Sequence, residues 1–130
     1  LSSLVTVRNP LDLTPMAVDA AHVQCCKALL DDPGVDAMVV GFIPFTIAMK
    51  TLPPGVDPKN LDTINDPMAM PAQLGALFSA SEKPFLTVVD SGPLYDPLAA
   101  ALEGAGVPCF RSCDTAMRAL QTYILYKLGE

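Results

Sequence analysis

Two apolar runs constrain the architecture more than anything else in the chain. Val35-Asp36-Ala37-Met38-Val39-Val40 and Phe85-Leu86-Thr87-Val88-Val89 are rich in β-branched and aromatic residues and scarcely alternate with polar ones. A strand with one face in water alternates; a strand covered on both faces need not, and that is the pattern of a parallel sheet sandwiched between helices. Each run follows turn chemistry, Asp31-Asp32-Pro33-Gly34 and Lys83-Pro84, and each ends in more of it, at Gly41-Phe42-Ile43-Pro44-Phe45-Thr46 and Asp90-Ser91-Gly92-Pro93. Leu4-Val5-Thr6-Val7 reads as an earlier strand ending at Asn9-Pro10-Leu11-Asp12-Leu13-Thr14-Pro15, and 107–110 as a last short one.

Helical spacing fills the intervals. Over 16–30, Val18, Ala21, Cys25, Ala28 and Leu29 recur at three and four residues, and Pro33-Gly34 stops the pattern. A second helix is expected over 94–105, closed by Gly106, and a third over about 115–128, with Ala116, Ala119, Leu120, Tyr123 and Ile124 on one face. Alternating strands and helices with short turns predict a three-layer α/β domain: a parallel sheet, right-handed crossovers, helices on both faces. The exception is 42–71, where Pro44, Pro53, Pro54, Pro58, Pro67 and Pro71 forbid a long helix. This Pro-rich insertion leaves the edge of the sheet where open α/β folds bind ligands. A lid, a subunit contact and an ordinary surface insertion all suit it.

Composition narrows the function classes. The 130 residues make one domain, 51% of them hydrophobic, enough for one core. Charged residues are only 17%, which points to apolar surface covered by something else. Fourteen acids against eight bases give a net charge of −6 without any Lys/Arg cluster, so no nucleic-acid partner is expected. No run approaches the roughly eighteen apolar residues of a membrane span. Cys25-Cys26 falls in a helical pattern, and Cys109 and Cys113 lack metal-ligand spacing. Reduced apolar fillers of a cytoplasmic protein are expected, with no metal site.

The order of motifs is itself distinctive. Strand, Asn9-Pro10-Leu11-Asp12-Leu13, helix, Leu29-Leu30-Asp31-Asp32-Pro33-Gly34-Val35-Asp36-Ala37, apolar strand, Pro-rich turn, Lys83-Pro84-strand, helix, Gly106-Val107-Pro108-strand and an Ala-containing final helix resemble the second flavodoxin-like (Rossmann-like) domain of the NDP-forming acyl-CoA synthetases. That family includes ADP-forming acetyl-CoA synthetase, and the domain is similar to the carboxy-terminal domain of the succinyl-CoA synthetase β subunit. The resemblance spans about 4–126. It implies a ligase that interconverts acyl-CoA, ADP and phosphate with acid, CoA and ATP through a phosphohistidine on another domain. CoA, ATP or ADP and Mg would belong to the full enzyme, with no cofactor bound by this segment alone and no catalysis in isolation. The implied partners are the CoA-binding and ATP-grasp domains or subunits, and a homo-oligomer is a further expectation. Relatives begin the domain with one more central strand, so the resemblance implies a later part of a longer polypeptide that lacks this strand.

On the same resemblance, Asn9, Asp12 and Thr14 match the first turn at the exchange site, and Gly41, Phe42, Pro44 and Thr46 match the second. Pro44-Phe45 stands where succinyl-CoA synthetases carry glycines, which favours a bulkier monocarboxylate pocket. Ser91 and Gly92 are candidates for a third wall. Each has a plainer reading: Asn and Asp are ordinary turn residues, and Thr14-Pro15 reads as a helix cap followed by a first-turn proline. Asp12 and Asp19 nearby would repel an anion, and Arg8 is the compensating charge. Ser112 to Asp114 reads as the cap of the last helix, with Arg111 free for an anion. His22, the sole histidine, falls on the buried-leaning face of a helix interior and is expected to pack or hydrogen-bond there. A different class of function stays open: a non-catalytic ligand-sensing or interaction module, such as one fused to a protein acetyltransferase. An independent flavin-type binding protein would need an aromatic pair around a phosphate loop, which this sequence lacks.

Overall fold

A computed structural model describes residues 6–55 and 63–129. In chain order the elements are α1 (Asp19–Asp31), β1 (Met38–Gly41), α2 (Met70–Ala80), β2 (Phe85–Val88), a single 3-10 turn (Pro93–Tyr95) running into α3 (Asp96–Gly104), β3 (Cys109–Phe110) and α4 (Cys113–Leu128). The strands form one parallel sheet in the order β1-β2-β3, with Met38 beside Phe85 and Thr87 beside Cys109. Helices cover both faces, so the expected three-layer α/β architecture, compatible with a flavodoxin-like fold, is present.

Side-chain alternation along each strand sorts the core into two layers. Met38, Val40, Phe85 and Val89 face α1, α2 and α3, where they meet Cys26, Leu30, Met70, Leu74, Leu98 and Leu102. Leu86 and Val88 face the other way, onto Ala116 and Leu120 of α4, with Val39 and Phe110 at the margin. Three helices thus pack one face and a single helix the other. All of β2 is buried, as its unbroken apolar run requires. Its one polar member, Thr87, is satisfied by donating its hydroxyl to the Pro108 carbonyl at 3.0 Å.

Several expectations need correction. Of the run at 4–7, Leu4 and Val5 lie outside the described residues, while Thr6 and Val7 are exposed and not in a strand. The first helix starts at Asp19 rather than 16, and Thr14 is not its cap. Thr14 lies at φ +67°, a left-handed conformation strained for a β-branched residue, and its N–H is bonded to Asp12 Oδ1 at 2.8 Å. That Asx-type turn spends the local polar groups before the helix begins. The buried face of α1 is Asp19, Cys26 and Leu30 with Val23 and Leu29 beside them, whereas Val18 and Ala28 are exposed. The sequence reading also names no helix after the Pro-rich stretch, yet α2 begins at Met70 with buried Pro71 in its first turn, where a missing N–H costs nothing. Gly106 does close α3, at φ +85°.

Candidate functional site at the strand ends

The turns that leave the C-terminal ends of β1 and β2 are tied to each other and to the 9–15 turn, which follows no strand among the described residues. After Gly41 the chain alternates in and out: Phe42 and Pro44 are buried, while Ile43, Phe45 and Ile47 are 72%, 68% and 93% exposed. Thr46 connects this second turn to the first by donating its hydroxyl to the Pro15 carbonyl at 2.5 Å, and accepts from the Ala48 N–H at 3.0 Å. Phe45 connects it to the third turn through an edge-to-face contact with Tyr95, centroids 5.4 Å apart. Thr14, Thr46 and the third turn are therefore parts of one edge. Asn9 and Asp12 are exposed on its outer side. Phe42 and Pro44 serve the core beneath it, and the Pro44 carbonyl accepts from the buried Thr51 hydroxyl at 3.1 Å.

Arg111 is not free for an anion. Its guanidinium donates to the carbonyls of Ser91, Gly92 (3.2 Å) and Tyr95 (3.3 Å) and pairs with the Asp96 carboxylate at 3.1 Å. One side chain from the end of β3 thus fixes the whole 91–96 turn. Ser112 occupies the N-cap position of α4 in an extended conformation, but makes no side-chain cap bond, contrary to the cap expected there. The Ser91 hydroxyl is buried without a hydrogen-bond partner among the described residues.

Asp19, which the sequence offers only as a charge that repels an anion, is tied into this edge. Asp19 is 7% exposed, and both carboxylate oxygens accept backbone N–H groups: Oδ2 from Lys50 at 3.0 Å and Oδ1 from Met70 at 3.0 Å. It thereby sits in the first turn of α1 while satisfying an orphan donor of α2, two places where negative charge is favoured. Lys50 in turn pairs its ammonium with Asp66. That hydrogen bond, with the one from the Met68 N–H, holds the Asp66 carboxyl below its ordinary pKa. A cleft of about 370 Å³ lies here, lined by Val18, Asp19, Ile47, Lys50 and Met68 among others. A second cleft of about 300 Å³ lies among Phe78, Pro84, Phe110 and Tyr123, where β2 begins rather than ends.

Among the described residues no group of three or more His, Cys, Asp or Glu side chains is placed to hold a metal ion. His22 bonds the carbonyl of the N-cap residue Val18 through Nδ1 at 3.2 Å, the hydrogen bond expected of it, but it lies in the first turn of α1 and off the buried stripe of Asp19, Cys26 and Leu30. All four cysteines are free; burial pushes the Cys26 thiol up to about 12 and raises that of Cys109, while Cys113 is exposed. Beside exposed Asn9 and Asp12 the edge presents an apolar set outward: Ile43, Phe45 and Ile47, with Val18 and Met68 on the Ile47 side and Leu94 beside Tyr95. No helix among the described residues is long and apolar enough to cross a membrane. No protein-family model, no curated protein and no solved structure matches this chain.

Proposed function

We propose that this chain is a domain of an NDP-forming acyl-CoA synthetase. In that reading it forms one wall of the site visited by a phosphohistidine from another domain, and docks the CoA-binding and ATP-grasp domains in the cytoplasm. CoA, ADP or ATP and Mg are bound by the full enzyme, and this segment supplies positioning and contact surface. The supporting observation is the rim of Ile43, Phe45 and Ile47 at the ligand edge of a parallel sheet. Its alternate residues are pinned in the core or hydrogen-bonded, so the apolar side chains are held outward by construction rather than by looseness. Burying such a rim against a partner recovers the hydrophobic free energy that its exposure forgoes.

The test is ATP formation from ADP, phosphate and acyl-CoA by the full-length parent, compared with its Asn9→Ala and Asp12→Ala variants. A hundredfold loss in folded variants corresponds to about 2.7 kcal/mol of transition-state stabilisation and supports the wall. Full activity in both variants would make the first turn purely structural, and an inactive parent would overturn the synthetase reading in favour of a sensor module.

A further inference from the structure

The 91–96 turn is held in two different ways. Its far end belongs to the core: Tyr95 is buried there with Leu98, the Tyr95 N–H returns to the Gly92 carbonyl at 3.0 Å, and the Asp96 N–H returns to the Pro93 carbonyl. Its near end depends on Arg111. The Ser91 carbonyl accepts from the Arg111 guanidinium and from no other group among the described residues. The Ser91–Gly92 peptide is trans, and a planar trans peptide that turns its carbonyl one way turns its N–H the other. The Gly92 N–H is therefore aimed away from Arg111. It has no partner among the described residues, Gly92 is exposed, and a Cβ placed on it would meet nothing within 4 Å. A peptide plane that ends in glycine rotates at little cost, because no Cβ obstructs it.

We propose that Arg111 is a positioning residue that sets this one plane: it gathers the Ser91 carbonyl inward and so presents the Gly92 N–H as an outward donor to the acyl carbonyl oxygen of a bound thioester. Without the guanidinium the plane is released and can set the Ser91 carbonyl outward, an acceptor facing an acceptor. The turn as a whole stays in place, because Tyr95 and Leu98 hold it in the core. An uncharged acceptor suits the position better than an anion, since exposed Asp90 stands two residues before Gly92 and the Arg111 charge is already paired with Asp96. The planar fork of arginine is what the task requires. Its donors reach the carbonyls of Ser91, Gly92 and Tyr95 together, which the point charge of a lysine does not. The identity of the acceptor rests on the synthetase reading and deepens it; the orientation of the plane stands apart from that reading.

NMR on the 130-residue chain, wild type and Arg111→Met, tests both parts. Methionine keeps an unbranched stem and removes every donor. In the wild type the Gly92 N–H should be as ordered as that of Val88, with an order parameter of about 0.85. Its residual dipolar coupling should fit an N–H directed away from Arg111. In the variant the order parameter at Gly92 should fall below about 0.6, or its coupling should depart from the wild-type value, while Val88, Tyr95 and Leu98 keep theirs. A Gly92 N–H unmoved by the substitution overturns the proposal. Loss of order across Tyr95 and Leu98 also overturns it, since Arg111 would then support the whole turn. Should Arg111→Met fail to fold, Arg111→Lys is read in the same way. S-acetyl-N-acetylcysteamine, a neutral acyl thioester, then supplies the acceptor. It should move the wild-type Gly92 amide proton downfield in a saturable manner, with about tenfold weaker affinity in the variant, the worth of one hydrogen bond. Inorganic phosphate should not move it. A Gly92 amide indifferent to the thioester, or moved by phosphate instead, overturns the donor role, and the dipolar couplings show separately whether the plane was set as proposed.

Discussion

Replacing Gly75 by alanine sets two rules against each other, and the structure picks the winner. In an exposed helix interior the change is favourable by roughly 0.8–1 kcal/mol, because glycine surrenders more backbone entropy. Gly75, however, lies in α2 where that helix crosses the end of α3, and a Cβ there would sit 2.8 Å from both the Cβ and the carbonyl oxygen of Ala105. Ala105 cannot withdraw cheaply. Its N–H is bonded back to Ala101 and Leu102, Gly106 follows at φ +85°, and fully buried Val107 is anchored to the Leu102 carbonyl at 3.0 Å. Overpacking of this kind costs about 1–3 kcal/mol, so Gly75→Ala should destabilise by up to about 2 kcal/mol net, enough at the upper end to lower the melting temperature by several degrees. Gly104, in the last turn of α3, has nothing within 4 Å of its would-be Cβ. Gly104→Ala should therefore stabilise, by up to about 1 kcal/mol. Urea titrations of the two variants beside wild type are the assay. A Gly75→Ala protein more stable than wild type, by as much as Gly104→Ala, would refute the close α2–α3 approach on which the first core layer depends.

Two further outcomes concern ionisation. Cys26, with its thiol pushed up to about 12, should resist alkylation at pH 8 while exposed Cys113 reacts, and both should react in denaturant. Because that folded value lies above the unfolded one of about 8.5, the stability Cys26 contributes is complete below that pH and drains away as pH rises from there toward 12; Cys26→Ser should flatten the alkaline limb of stability against pH. Asp66 runs the other way. Its folded pKa is depressed, chiefly by the hydrogen bond from Lys50, so its contribution is present above the unfolded value of about 3.9 and is lost as pH falls through the folded one. Asp66→Asn should reduce the acid-limb slope, and an unchanged slope would mean that the Lys50 pair does not persist in solution.

The sheet was legible because β2 is buried on both faces and β1 on one, with Val39 half-buried on the other, which leaves a nearly unbroken apolar run in the sequence. Gly106 was legible because a left-handed helix terminus selects it. The face of α1 was not, and the reason is physical. Its buried stripe runs Asp19, Val23, Cys26, Leu30, a regular spacing of four, three and four whose first member is an acid. Hydrophobic periodicity cannot register a carboxylate buried by backbone N–H groups that arrive from 31 and 51 residues away. Alanine fits either face of a helix, so Ala21 and Ala28 drew the predicted stripe aside. The same blindness applies to Arg111, whose four partners lie 15 to 20 residues upstream and turn an apparent anion ligand into a staple for the third turn. α2 escaped notice because prolines surround its start, although Pro71 followed by Leu74, Leu77 and Phe78 carries the signature of a first-turn proline and an apolar face. Thr46 could be read only as a match to a turn; that it bridges two turns required the fold.

The central claim is that the rim at the strand ends is a contact surface for the other domains of a synthetase. Sedimentation velocity of this chain mixed with the separately produced remainder of its parent, using wild type and the Ile43→Asp/Ile47→Asp double variant, tests it most directly. Both side chains point outward, so the variant should keep wild-type stability within about 0.5 kcal/mol. A complex that forms with wild type and dissociates with the variant is the predicted result. A complex indifferent to both charges, or no complex with the wild type, would contradict it.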